Sequence, residues 1–184
     1  MQIGAYDVHA PLILGGDRSE AEVLGASVWL WMHSPQHQDL PLHALPTVLL
    51  PIIKHQHYML VSKGTQPLFF LSWMWLNAEA EVRYLTQPAI LVQEADWACG
   101  YRLWIRDWIA PFGDVRAMRH LVTHALFPDR CFRSLYHRGT EKGQRVMNFK
   151  GDQISHAQAR AWRAAHPLSV SLPEYPQDRS RMLP

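Results

Sequence analysis

The sequence predicts one mixed α/β domain, and three observations carry the prediction. Two runs rich in aromatic and long apolar residues, about His57–Ser62 and Pro67–Asn77, flank Lys63-Gly64-Thr65-Gln66 and read as an antiparallel hairpin. Ahead of them, Ala21, Leu24, Val28 and Trp31 recur at helical spacing. Behind them, Arg102–Ala110 alternates like a strand and ends at Pro111-Phe112-Gly113-Asp114. At 184 residues the chain fits one domain that buries its own core.

The elements follow in order. Residues 1–17 show no periodicity, and 1–20 are set apart as an irregular N-terminal extension. A helix is predicted from Arg18 to about Met32. Ser34-Pro35 interrupts it, and a Pro-punctuated helical segment continues to about Ile53. After the hairpin comes a short helix over Ala78–Leu85, then the Arg102–Ala110 strand. Asp114 is the expected N-cap of a helix running to about Phe127. A second hairpin, Cys131–Arg138 with Arg145–Lys150, turns on the segment Gly139 to Gly143. A helix from Ser155 to Ala165 closes the domain, taken as residues 21–166, and the Pro-rich stretch 167–184 reads as a tail.

Composition narrows the function classes. No stretch reaches the ~20 uninterrupted apolar residues of a membrane span, and no secretory signal pattern opens the chain. Cys99 and Cys131 form neither a disulfide framework nor a zinc pattern, so a cytoplasmic location is expected. Charge is uneven: residues 1–101 hold 4 Lys+Arg against 9 Asp+Glu, and residues 102–184 hold 14 against 7. A half that rich in arginine suits an acidic partner, because guanidinium forks bind carboxylate and phosphate. The basic residues are scattered rather than clustered, which does not favour nucleic acid.

Two residues stand out chemically. Asp107 interrupts an apolar strand in which Leu103, Ile105, Asp107 and Ile109 would share a face. A carboxylate removed from water needs a partner or a task; a salt bridge to an arginine and a catalytic role both satisfy that demand. His37 falls three residues after Ser34, which as N-cap would accept a bond from the His37 backbone N–H. A helix start disfavours imidazolium, and a neutral imidazole is what a general base requires. Ser34 is read as a cap before it is read as a nucleophile.

Other constellations are weaker. His120 and His124 are spaced i,i+4, but no Glu follows His120 as the metalloprotease motif requires. His55 and His57 lack a third ligand, so no metal site is assigned. Phe69, Phe70, Trp73 and Trp75 suit core packing better than an acyl groove. The chain lacks both a P-loop and the glycine-rich cradle of acetyl-CoA-dependent enzymes, so no tightly bound cofactor is expected.

A set of strings resembles a known family. Val28-Trp-Leu-Trp-Met-His-Ser-Pro-Gln-His37, Val48-Leu-Leu-Pro51, Gln56-His-Tyr-Met-Leu60, Pro67 through Ser72-Trp73, Glu81-Val-Arg-Tyr-Leu85 and Trp104-Ile-Arg-Asp-Trp-Ile-Ala-Pro-Phe-Gly-Asp114 are similar to the lysine acyltransferases that activate RTX toxins, the hemolysin-C type. The similarity spans about residues 22 to 152, and includes Phe132-Arg133 and Phe149-Lys-Gly151. It implies a GNAT-like α+β fold with a central mixed, mostly antiparallel sheet flanked by helices. It implies acyl-carrier protein as donor, an RTX protoxin as acceptor and a homodimer. It places the catalytic histidine on His37, the aspartate on Asp107 and an important serine on Ser34. Gln38-Asp39-Leu40 departs from the family, which usually has a basic residue and a tryptophan after the histidine.

On this resemblance, His37 is expected to act as general base towards a lysine amine, with Asp107 orienting the imidazole. An acyl-His37 or acyl-Ser34 intermediate is the competing route. From charge alone, Arg116, Arg119, Arg130, Arg133 and Arg138 are assigned to docking acyl-carrier protein. Two other functions compete: a diverged acyltransferase acting on a non-toxin protein or small amine, and a non-enzymatic toxin-binding partner.

Overall fold

A computed structural model describes residues 1–88, 91–136 and 145–171. Among the described residues, seven strands form one sheet in chain order: β1 (Gln2–Ile3), β2 (Tyr6–His9), β3 (Tyr58–Lys63), β4 (Gln66–Leu76), β5 (Arg102–Ile109), β6 (Cys131–Leu135) and β7 (Val146–Lys150). Neighbours run antiparallel except β5 and β6, which are parallel and register only at Trp104–Arg133 and Ile105–Ser134. Among the described residues, no helix is long and apolar enough to cross a membrane.

Alternation along the central strands builds a core on each face of the sheet. Tyr58, Leu60, Phe70, Met74 and Leu76 point to the first core. There they meet helix α1 (Glu20–Met32), the short helices α2 (Leu45–Val48) and α3 (Leu50–Lys54), and α4 (Ala78–Thr86). Met59, Val61, Phe69, Leu71 and Trp73 point to the second core, closed by α5 (Val115–His120) and the π-helical turn Leu121–Leu126 that extends it. Each fully buried large side chain contributes about 1.5–3 kcal/mol relative to exposure. Helix α1 begins where Ser19 and Glu22 form a capping box. A last helix, α6 (His156–Ala165), opens with the Ser155–Gln158 capping box.

One irregularity decides the site. Ser72 pairs with Asp107 but Trp73 pairs with Ile105, so Arg106 is an extra residue in β5. Such a bulge reverses the alternation beyond it. Leu103 and Ile105 lie in the second core, Ile109 in the first. The single face expected for Leu103, Ile105, Asp107 and Ile109 is therefore split, and Asp107 joins the side that α1 covers.

Other expectations are corrected. The N-terminal stretch is not irregular, because Gln2–Ile3 and Tyr6–His9 extend the sheet and Val8 is fully buried. Asp114 sits at the start of α5 in a left-handed conformation, φ 56°, and its side chain makes no capping bond. The stretch after His166 is docked rather than free up to Ser169. Arg133 donates to the His166 carbonyl, Arg102 Nη1 reaches Pro167 O at 2.8 Å, and Ser169 Oγ donates to Glu81 at 2.6 Å. Glu81 is completely buried and also accepts from Trp104 Nε1 at 2.8 Å and Arg102 Nη1 at 2.5 Å. The turn at 139–143 and residues 172–184 lie outside the described residues.

Candidate active site

The chain leaves α1 through Trp31, buried in the first core, and turns tightly over residues 33–39. The His37 backbone N–H donates to the Ser34 carbonyl at 2.9 Å, not to its hydroxyl. Ser34 is therefore not a side-chain cap. Its Oγ lies instead 2.9 Å from His37 Nδ1. The His37 ring packs on Trp31, centroids 4.8 Å apart, which fixes the imidazole plane.

The other ring nitrogen faces β5. His37 Nε2 is 3.5 Å from Asp107 Oδ1, an ion-pair distance longer than a tight hydrogen bond. Asp107 Oδ2 accepts from the Ser72 hydroxyl and from Arg106 Nη1 at 3.2 Å. Burial alone would raise the Asp107 pKa, but the Arg106 charge, His37 and the Ser72 hydroxyl outweigh it and hold the carboxyl well below the usual range. Arg106 also donates to Val48 O at 2.8 Å and lies over the Trp97 ring, so its guanidinium is held from three sides. Adjacent strand residues normally point apart; the bulge lets Arg106 and Asp107 meet.

These contacts align a hydroxyl, an imidazole and a carboxylate. An ionised Asp107 only accepts, so Nε2 carries the hydrogen and Nδ1 of the neutral ring holds the lone pair. The Ser34 hydroxyl donates to that lone pair. Ser34, His37 and Asp107 thus form a continuous chain, hydroxyl to imidazole to carboxylate, assembled from segments about 70 residues apart. A site of this kind can accept a proton at Nδ1 or activate the Ser34 oxygen.

All three sequence-predicted site residues converge. The salt bridge weighed against catalysis for Asp107 exists as well, to Arg106, but it occupies Oδ2 and leaves Oδ1 for His37. The arginine set divides. Arg116, Arg119 and Arg130 are exposed, while Arg133 is 3% exposed and pairs with Glu81 at 3.2 Å, which removes it from any docking surface. Arg138 lies outside the described residues. Ser72 and Arg106 were missed. A lone hydroxyl in the otherwise apolar run Leu68–Leu76 was the available signal for Ser72; Arg106 gave none, since the bulge is not written in the local pattern.

Comparison with known proteins covers the same stretch of the chain. The RTX-I toxin-activating lysine-acyltransferase ApxIC of Actinobacillus pleuropneumoniae is 40% identical over 134 residues, 72% of this chain and 76% of the relative. The protein-lysine palmitoyltransferase CyaC of Bordetella bronchiseptica is 40% identical over 140 residues, 75% of each chain. A protein-lysine myristoyltransferase HlyC of Escherichia coli is 37% identical over 133 residues, 72% of this chain and 77% of the relative. Residues 17–150, which hold the Ser34–His37–Asp107 chain, match the family described as HlyC, RTX toxin acyltransferase. The chain belongs to the RTX toxin acyltransferase family.

Proposed function

We propose that this family member transfers a fatty acyl chain from acyl-carrier protein to the ε-amino group of internal lysines of an RTX protoxin, in the cytoplasm. The observation that carries the reading is the convergence of Ser34, hydrogen-bonded to His37, and of His37, at ion-pair distance from the buried, ionised Asp107. The relatives' names, toxin-activating lysine-acyltransferase and protein-lysine palmitoyl- and myristoyltransferase, supply the reaction class and the acceptor.

The chemistry asks for a base. A lysine amine with a pKa near ~10.4 is neutral in only about one of ~2,500 molecules at pH 7. The neutral amine attacks the thioester carbonyl, a C–N bond forms, and the C–S bond breaks. His37 Nδ1 takes the amine's surplus proton, directly or across the Ser34 hydroxyl, and returns it to the leaving sulfur. Asp107 stabilises the transient imidazolium, and Ser72 and Arg106 keep Asp107 in place. No resident cofactor enters this scheme.

A GNAT-like reading of the sheet fits the same place. The parallel pair β5–β6 registers at only two positions and stops at Ile105–Ser134, immediately before the bulge that presents Asp107. A phosphopantetheine arm threaded there would bring its thioester to the dyad. Exposed Arg116 and Arg119 lie on α5, against the second core, so they would guide the acidic donor from the far side of the sheet. Met32 and Leu42, exposed by 64% and 76%, flank His37 in sequence and offer an apolar rim to a partner or a second copy.

A second reading has its own observation. The Ser34 oxygen is already hydrogen-bonded to Nδ1, the geometry of an activated nucleophile, and an acyl-Ser34 ester could precede aminolysis. Intact-mass measurement separates the alternatives. Co-expression of a protoxin fragment with the wild-type chain should add whole acyl masses to the fragment, and His37→Ala should add none. An unmodified fragment beside the wild-type chain would refute the reaction. Incubation with acyl-carrier-protein donor alone should leave the enzyme mass unchanged; an acyl adduct absent from Ser34→Ala would establish the two-step route.

A further inference from the structure

We propose that His120, His124 and Asp152 form a surface site for one divalent transition-metal ion of the zinc class. His120 ends α5 and His124 lies one turn further, in the π-helical stretch. Their rings stack, centroids 4.8 Å apart, and both Nδ1 atoms face Asp152 Oδ2, at 3.9 Å and 3.5 Å. The three ligand atoms all lie within 4.8 Å of one another. Around a tetrahedral ion with bonds of about 2.0–2.2 Å, ligand atoms sit roughly 3.3–3.5 Å apart. Both imidazoles are about two-thirds exposed, so small side-chain rotations close the difference at little packing cost.

Asp152 is held in position for this by backbone contacts, not by chance exposure. Its N–H donates to Thr123 O at 2.9 Å, between the two histidines in sequence. On either side, Gly151 N–H reaches Arg130 O at 2.8 Å and Gln153 N–H reaches Pro128 O at 2.9 Å. Gly151 has room for no side chain: a Cβ would stand 2.1 Å from the Phe127 and Pro128 carbonyl oxygens. The turn after β7 is thus fastened to the π-helical stretch, with the carboxylate over the two rings.

Two imidazoles and one carboxylate select zinc, nickel or copper over magnesium and calcium, which prefer all-oxygen shells. The remaining coordination position opens to solvent. A bound ion would cross-link α5 to the β7–α6 turn on the face of the sheet opposite Asp107. Its role is therefore structural with respect to acyl transfer.

The test is calorimetric titration of the full chain with zinc chloride in a non-chelating buffer, beside thermal melts with and without zinc. The wild-type chain should bind one ion and gain melting temperature. His120→Ala, His124→Ala and Asp152→Asn should each weaken that binding by at least roughly tenfold, remove the thermal gain and leave acyl transfer at the wild-type rate. Zinc binding and thermal gain that persist in the His120→Ala/His124→Ala double variant would overturn the assignment, as would a wild-type chain that binds no zinc. A calcium response equal to the zinc response would also overturn it.

Discussion

At the scale of single residues, the site turns on which atom of His37 is free. An ionised Asp107 offers only acceptors, so a neutral His37 would carry its hydrogen on Nε2, 3.5 Å from Asp107 Oδ1, and its lone pair on Nδ1, 2.9 Å from Ser34 Oγ. Asp107→Asn presents an amide that no longer fixes that tautomer or offsets the imidazolium charge. Its transfer rate should fall by at least about 100-fold. Stability should fall by only about 1–3 kcal/mol, because Arg106 keeps its bond to Val48 O. Single-turnover rates beside urea midpoints check both halves. An unfolded variant would assign Asp107 to the buried Arg106 pair alone. Asp107 was legible because a carboxylate breaks the pattern of an apolar strand, whereas His37 and Ser34 were legible through the family resemblance, since the Ser34 side-chain cap that also marked His37 does not form. Their partners were less legible, since Ser72 and Arg106 acquire meaning only through contact.

At the scale of elements, strands and helices were readable from periodicity, and their extents agree with prediction within about two residues for α1, β3, β4, α4, β5 and α6. The failures share a cause. The two N-terminal strands are short and polar at their edges, and only pairing of β2 with β3 makes them strands. The bulge at Arg106 and the π-helical stretch change phase within an element, which a pattern of fixed period does not encode. The turn after β7 depends on an approach of backbones that glycine alone permits. Gly151→Ala should therefore lower stability by at least about 1–3 kcal/mol, read as a shift in the urea midpoint. An unchanged midpoint would mean that the turn yields without cost.

At the scale of the whole molecule, acid should loosen the fold in two stages. Burial, and secondarily the charge of His55, lower the His57 pKa to about 4 from its ordinary 6.5, and its Nδ1 is buried without a partner. The unfolded chain thus binds a proton that the folded chain refuses. Stability should be full above pH 6.5 and decline as pH falls towards 4, by on the order of 3 kcal/mol at most. Below that, Asp107 and Glu81, whose folded pKa values lie under their ordinary ones, add a further loss as they are forced to protonate. Melting temperatures from pH 7 to pH 4 test the first stage: His57→Phe should flatten the slope, and an unaltered slope would remove His57 as its source. The sequence by itself determined the fold class, the family and the three residues that converge at the candidate site, because these reside in local periodicity and in specific strings. Only the tertiary structure decided that Asp107 faces His37, that Arg133 is a buried partner of Glu81, and that Asp152 stands over His120 and His124. Each of those depends on a chain-distant contact or a phase shift, and one-dimensional spacing holds no information about either.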